Sequence, residues 1–383
     1  MRVCVVSTSH DARDDRLYFK EARSLAKEHE VTLIAPSAKE RPVPVEDHID
    51  FVRLNCKPTK ISRALMAVRL LFSLPRGRYD VIHLSDSETL PLGPLLRWRC
   101  KTKIVCDIWE ANYEMILGTA VKPALARRIL AVLFRSVERW AAGRCDLVLT
   151  ADGAIAESLG PLVKPTVIFN YPLLSVLAVA PEEVRTLRRK YEGARCLIYH
   201  GSMAEERGVL AAVGAMRYLR DRHPNAKLLL VGQMPESLGV RVRGMLGRLG
   251  LDEAVDLVGW VDHSQVGKYL AVSEIGLVPF ARTRKFERNI PQKIFEYWAA
   301  GLPVVATDLD PIRHFVGQCD GGVLTESNDP LLLAQAISSL LSQPGAAGEM
   351  GKRGRVMVEK SWRWERMEAD LLAAYRTLSI ETV

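Results

Sequence analysis

Short runs of β-branched and aliphatic residues recur along this chain, separated by longer stretches whose apolar positions return every three or four residues. Runs of strand length fall at 3–7, 31–35, 51–54, 81–84, 104–107 and 147–150. Between the first two, from about residue 14 to 28, Leu17, Ala22 and Leu25 are spaced for one buried helix face. A break punctuated by proline at 171–183 interrupts the pattern, which then restarts. Strands are predicted at 196–200, 227–231, 255–258, 275–280 and 303–306, with helices at 207–222, 240–249, 290–300, 331–341 and 350–360. Alternation of this kind builds parallel sheets covered on both faces. It predicts an α/β chain of two doubly wound, Rossmann-like domains at 1–175 and 185–360, facing across a cleft, with a last helix in 361–383. In such sheets ligands bind beyond the carboxyl ends of the strands, where strand order reverses.

Composition narrows the class. At 383 residues there is room for two ordinary cores, and 48% hydrophobic with 26% charged residues excludes extensive disorder. Seven scattered cysteines without a CxxC pair predict a reducing compartment, no disulfide framework and no structural zinc. The apolar run at 3–7 gives way at once to charged residues, unlike a signal peptide. No stretch approaches the roughly 18 uncharged residues of a membrane span. A soluble cytoplasmic protein is expected.

The net charge of +8 is uneven, because residues 51–144 hold 17 Lys/Arg against 7 Asp/Glu. Such a field suits an anionic partner. Segments 60–78 and 122–144 interleave Leu, Val and Phe with arginine, as helices lying on an anionic membrane surface do. A helix packed on a sheet is amphipathic too, so that alternative stands beside it. The basic segments are aliphatic rather than aromatic and no nucleic-acid module is present, which excludes that partner.

The densest passage for chemistry runs from Asn289 to Ala306. A helix is predicted to open near Pro291, so that amides around Asn289, Ile290 and Pro291 form an anion site. Lys293 and Glu296, three apart, share a face. A cation by the phosphates and a carboxylate accepting ribose hydroxyls would hold a nucleoside diphosphate; the plainer alternative is a local Lys–Glu ion pair. Upstream, a strand ends at Gly201 and Ser202, and Arg207 follows within the next turn. Glycine permits close backbone approach to phosphate, and arginine adds a fixed charge; a simple turn with a solvated arginine is the alternative. Gly232, Gly259, Val261 and Pro279 sit at further strand ends.

In the first half, the loop after the first strand lacks G-x-G-x-x-G, which argues against an NAD enzyme. It carries His10, Asp14, Arg16, Lys20 and Glu21. A histidine, a carboxylate and a cation there would orient an acceptor hydroxyl, with an Asp14 helix cap as the alternative. Glu110 is a candidate proton-accepting or acceptor-positioning carboxylate after another strand, and Asp86 a further acceptor-side candidate. Asp308-x-Asp310 lacks helper ligands and reads as loop capping, not metal binding.

Asn289 to Ala306 resembles the donor-binding motif of family-4 retaining glycosyltransferases, in a branch with P-x-K-x-F-E-Y-x-A-x-G-x-P-V-V-A. Glu296 matches the second of that family's two glutamates, while Arg288 stands at the first. The segment from Gly201 to Gly208 resembles G-R-x-x-x-x-K-G, with Ser202 for arginine and Arg207 for lysine. The residues from His10 to Leu25 resemble H-x-x-x-D-x-R-x-x-x-K-E-A-x-S-L, and Asp107 to Glu110 resembles D-x-H-E with Trp109 for histidine. Gly232, Gly259, Val261 and Pro279 resemble loops framing the nucleotide base. The resemblance covers nearly the whole chain. It implies the GT-B fold with its last helix crossing back to the first domain. It also implies hexosyl transfer with retention from a nucleoside diphosphate sugar, and neither metal nor other cofactor. With the basic first half, it points to a lipid-linked or otherwise anionic glycan acceptor, as in surface polysaccharide assembly. His10, Asp14 and Glu110 are then the catalytic candidates, and Arg16, Lys20 and Asp86 the acceptor contacts. Two rivals are a sugar-nucleotide epimerase of the same fold, turning over without acceptor, and a nucleotide-sugar-binding pseudoenzyme serving as an assembly partner.

Overall fold

The computed structural model describes all residues except 38–47, 56–58, 119–122 and 380–383. Cys56 and Lys122, which entered the cysteine and membrane-segment expectations, lie outside the described residues. The chain forms two compact units, Met1–Asn170 with Trp364–Val383, and Tyr171–Arg363.

Unit 1 holds seven strands: β1 (Arg2–Val6), β2 (Glu30–Pro36), β3 (Ile49–Leu54), β4 (Val81–Leu84), β5 (Lys103–Ile108), β6 (Leu147–Thr150) and β7 (Thr166–Val167). They pair in parallel in the order β3-β2-β1-β4-β5-β6-β7. The first helix begins as a π-helical stretch, Asp15–Ala22, and continues as α1 (Arg23–Ala26). Next come α2 (Lys60–Ser73), α3 (Gly93–Cys100), α4 (Asn112–Gly118), α5 (Ala124–Ala142) and α6 (Gly153–Ser158). Alternate residues of the strands, such as Cys4 and Val6, Ile82 and Leu84, or Ile104 and Cys106, turn to one core.

Unit 2 repeats the plan with six strands: β8 (Arg195–His200), β9 (Ala226–Val231), β10 (Val255–Gly259), β11 (Ser273–Val278), β12 (Val304–Thr307) and β13 (Gly322–Thr325). Their order is β10-β9-β8-β11-β12-β13. The helices are α7 (Leu174–Leu177), α8 (Pro181–Lys190), α9 (Val209–Leu219), α10 (Glu236–Leu249), α11 (His263–Ala271), α12 (Lys293–Ala299), α13 (Asp310–Cys319), α14 (Pro330–Ser342) and α15 (Pro344–Lys360). Strand order reverses between β1 and β4 in unit 1 and between β8 and β11 in unit 2, which marks the ligand-binding ends.

α16 (Trp364–Ser379) belongs to unit 1 although it follows unit 2 in the chain. Its buried Trp364 donates from Nε1 to Ser24 Oγ at 2.9 Å, and the Tyr375 hydroxyl lies 2.5 Å from His83 Nδ1.

Several expectations need correction. The stretch read as a break at 171–183 contains α7 and packs into unit 2: a Cβ on Gly267 of α11 would meet the Leu177 carbonyl at 2.3 Å. β7, β13, α8, α11 and α13 escaped the pattern, β7 because it is only 2 residues long. Cys106 and Cys145 form a disulfide, against the all-thiol expectation, while Cys4, Cys100, Cys196 and Cys319 are free and buried. Among the described residues, no helix is long and apolar enough to cross a membrane.

Candidate functional site

In unit 2 the ends of β8, β9 and β11 crowd together through glycines. Gly232 has φ +140°, and a Cβ there would stand 2.1 Å from the Gly201 carbonyl; its N–H donates to Gly259 O at 2.7 Å. Gly208, at φ +74°, passes so close to β11 that a Cβ would lie 1.7 Å from the Pro279 carbonyl. Only glycine fits either place. The tight turn holds Arg207 at the strand ends, where its Nη1 donates to Ser202 O at 3.2 Å.

α12 presents Lys293, Glu296, Tyr297 and Trp298 to the interior. Lys293 is buried, and its Nζ has no hydrogen-bond partner. The ammonium instead lies 3.7 Å from the Tyr199 ring centroid and 5.3 Å from that of Phe280. Burial lowers its pKa well below the lysine range, with the Arg207 charge adding to the effect and Glu296 opposing it.

Glu296 does not pair with Lys293, which removes the local ion-pair alternative. Its Oε2 lies 3.1 Å from His200 Nε2, and its Oε1 lies 3.1 Å from His263 Nε2 and accepts from Gln292 Nε2 at 3.1 Å. Burial pushes this carboxyl up, but His200 and His263 outweigh it and hold it well below the usual range. His200 itself is pushed down by burial, against the pull of Glu296. Sequence reasoning missed both histidines. They come from β8 and from the first position of α11, so no local spacing links them to α12.

The helix start is corrected. α12 opens at Lys293, after Pro291, and Asn289 donates its N–H to Lys285 O at 2.9 Å, so the Asn289 amide is already taken up. The Lys293 and Arg207 side chains bring two basic groups to these strand ends, close enough for the Arg207 charge to act on Lys293. Asn289 leaves its Oδ1 buried without a partner; its neighbour Ile290 is half-buried, as is Val261 after β10. Asp308 and Asp310 do not cap the loop as expected: both accept from the Arg313 side chain at 2.7 Å, and α13 has no side-chain cap.

In unit 1, Asp86 closes the β4 end against the loop after β1. Buried, it accepts from Ser7 Oγ and Thr8 Oγ1 at 2.9 Å each and from Ser9 Oγ at 2.6 Å. His10 stands beside it, with Nε2 3.8 Å from Asp86 and Nδ1 3.8 Å from Asp14, its ring 4.4 Å from Trp109. Burial opposes protonation of His10, but Asp14, Asp86 and Glu110 together raise its pKa. Asp14 also caps the first helix, accepting from Arg16 N at 2.9 Å and Leu17 N at 3.1 Å. The structure thus gathers His10, Asp14 and Asp86, and leaves Glu110 exposed.

Arg16 and Lys20, expected at an acceptor, turn inward instead. Arg16 donates from Nε to Glu21 at 2.6 Å, from Nη2 to Asp107 at 3.2 Å and from Nη1 to Ile168 O at 2.9 Å. Lys20 Nζ donates to Asn170 Oδ1 at 2.7 Å and pairs with Asp15. Glu21, His83 and Asp107 offer ligand atoms within 4.8 Å of one another. Arg16 already binds both carboxylates, so this group is an ion-paired core.

Comparison with known proteins agrees with this architecture. Residues 20–167 match the family model "Glycosyl transferase 4-like domain" and residues 194–343 match "Glycosyl transferases group 1". The chain is 25% identical over 318 residues to a glycogen synthase of Mycobacterium tuberculosis, covering 82% of this chain and 72% of that protein. It is 23% identical over 370 residues to the phosphatidyl-myo-inositol mannosyltransferase of Mycolicibacterium smegmatis, covering 92% and 86%. Its fold is that of the sucrose-phosphate synthase of Thermosynechococcus elongatus, with TM-score 0.79 at 19% identity over 99% of both chains. It is also that of the Anabaena protein HepE in complex with UDP, with TM-score 0.76 at 14% identity over 98% of this chain and 100% of that one. With all of the second sheet and every strand of the first except β1 falling in a matched glycosyl transferase region, the chain is a glycosyltransferase of the GT-B fold.

Proposed function

We propose that the chain moves a hexosyl unit, with retention of anomeric configuration, from a nucleoside diphosphate sugar to a hydroxyl of a lipid-linked or cell-surface polysaccharide precursor. The observation that carries this reading is the buried, unpartnered Lys293 ammonium beside Arg207 at the ligand-binding ends of unit 2. An unpaired buried cation is costly unless a ligand supplies the counter-charge. Lys293 Nζ lies 3.6 Å from where a Cβ of Gly201 would stand, next to Ser202, and so supplies from α12 the charge that serine does not.

On this reading Lys293 and Arg207 stabilise the negative charge that develops on the leaving diphosphate, without a metal. Gly201, Gly232 and Gly259 let it approach the backbone, and Glu296, whose oxygens each have a second lone pair, accepts ribose hydroxyls. In unit 1, His10, Asp14 and Asp86 orient the acceptor, with Glu110 as the proton-accepting candidate. HepE was crystallised with UDP and with UDP-glucose, and similar mannosyltransferases are GDP-mannose-dependent, which directs the donor search to UDP and GDP sugars. Similar enzymes named for phosphatidyl-myo-inositol and for a phosphatidylinositol monomannoside favour a lipid-linked acceptor, and on this reading the reaction runs at the cytoplasmic face of a membrane.

Titration calorimetry with UDP, GDP and ADP tests the reading. One of them is expected to bind, and Lys293→Met to weaken it by about tenfold or more, the worth of one charge-assisted contact. Indifference of the wild type to every nucleotide, or an unchanged affinity in the variant, counts against it.

A further inference from the structure

One side of the unit 1 sheet carries helices whose outward faces are apolar, and the chemistry above does not use them. The connections β3 to β4, β4 to β5 and β5 to β6 all step the same way across the sheet, so right-handed crossovers place α2, α3 and α5 on one side. Leu70, Leu96 and Ala141, one from each helix, enter a single core with β1, β4 and β5. Arg99 ties α3 to the end of α2 by donating to Phe72 O at 2.7 Å and Leu74 O at 2.6 Å.

The solvent side of such helices is ordinarily polar. On α2 it shows Ile61, Leu65, Val68 and Phe72 at helical spacing, with Ile61 76% and Phe72 68% exposed. α3 adds Leu95 and Trp98, the indole 81% exposed. α5 is inverted: small Ala131, Ala141 and Ala142 face the core, while Leu125, Ile129, Val132, Leu133, Val137 and Trp140 stand in solvent. Scattered apolar side chains are normal on a surface, but three helices on one side of a sheet each turning large apolar side chains to water are not. These helices carry basic residues throughout, including the exposed Arg69 and Arg128 and an Arg97 paired with Asp146 at 3.0 Å, and one carboxylate, Glu138. That carboxylate is buried and accepts from Asn112 at 2.9 Å.

We propose that α2, α3 and α5 form a docking face for a bilayer surface rich in anionic phospholipid. The aliphatic and indole side chains enter between the headgroups, and the arginines bind lipid phosphates. Charge complementarity selects this occupant. A second copy docking through the same patch would set arginine against arginine with no exposed carboxylate from these helices to answer it. The proposal goes beyond the transfer reaction and uses none of the donor-site residues, so the two fail separately.

Co-sedimentation of the full chain with vesicles tests it. The protein is expected to pellet with vesicles of equal parts phosphatidylcholine and phosphatidylglycerol, to bind phosphatidylcholine alone at least about tenfold more weakly, and to release in high salt. The triple variant Ile61→Ser, Trp98→Ser, Leu133→Ser should bind the anionic vesicles about tenfold or more less tightly. Because those side chains are exposed, it should keep its melting temperature and its nucleotide affinity. Arg69→Gln with Arg128→Gln should abolish most of the preference for the anionic vesicles. A wild-type chain that stays in the supernatant with both vesicle types overturns the proposal. So does a dimer in solution that the serine variant dissociates, since that makes the face an interface between copies.

Discussion

Lys293 concentrates the physics of the proposed donor site in one side chain. Its folded pKa lies well below the lysine range, burial being the larger cause and Arg207 the smaller. Between that depressed value and the ordinary one, the unfolded chain binds a proton that the folded chain lacks, so stability rises with pH across the window and is lower on its acid side. Lys293→Met is therefore expected to flatten this slope and to raise stability near neutral pH by roughly 1–3 kcal/mol, while losing nucleotide affinity. Thermal melts across pH read the first effect, and a variant that melts lower than wild type at neutral pH contradicts it. Glu296 has the opposite dependence on its partners. Its depressed pKa contributes stability that is present above the ordinary carboxylate value and lost as pH falls through the folded value. Glu296→Ala leaves His200 and His263 facing a gap and should cost roughly 3 kcal/mol in denaturant titrations, whereas Glu296→Gln, which can still accept a hydrogen bond, should cost less. That Lys293, Glu296 and Arg207 come to strand ends of unit 2 was legible in the chain because each lies in a contiguous run with turn or helix punctuation. The two histidines were not, because they meet Glu296 only after β8 and α11 have packed beside α12.

Elements show where periodicity informs and where it misleads. The strands were legible because fully buried parallel strands are near-continuous apolar runs, and each observed strand from β1 to β6 and from β8 to β12 overlaps a run read from the chain. Helix boundaries were less so: Pro291 marked a helix start, yet regular helix begins at Lys293 because the preceding residues form turns back to Lys285. Amphipathic stretches proved hardest. The pattern of α5 does not say which side faces the sheet, and the small residues do. Ala131→Leu, although conservative by hydrophobicity, should overpack the core and cost about 1–3 kcal/mol, while Leu133→Ser should leave the melting temperature unchanged. A tolerated Ala131→Leu would show the helix to be turned the other way. At the turn before α9, Gly208→Ala should cost more than about 2 kcal/mol, since the new methyl meets the Pro279 carbonyl in a left-handed backbone.

At the level of the whole molecule, the chain makes two sheet units and then returns from the second to the first. α16 brings Trp364, Leu371 and Tyr375 into the unit 1 interior, where the Tyr375 hydroxyl meets His83. Truncation before Trp364 should leave unit 1 without part of its core while unit 2 keeps its own. Calorimetry is expected to show one transition lowered and the other kept, and two unchanged transitions would contradict this. Tyr375→Phe, removing only the buried hydroxyl, should cost about 1–2 kcal/mol. By itself the sequence determined the fold class, because hydrophobic period and turn chemistry are local and survive in one dimension. Tertiary structure alone decided that Arg16 and Lys20 serve the core, that Glu296 is held by two distant histidines while Lys293 is left unpaired, and that α2, α3 and α5 turn apolar residues to water. Those outcomes depend on which side chains are brought within a few ångströms once the sheets close, and burial, not residue type, then sets each group's charge and partners.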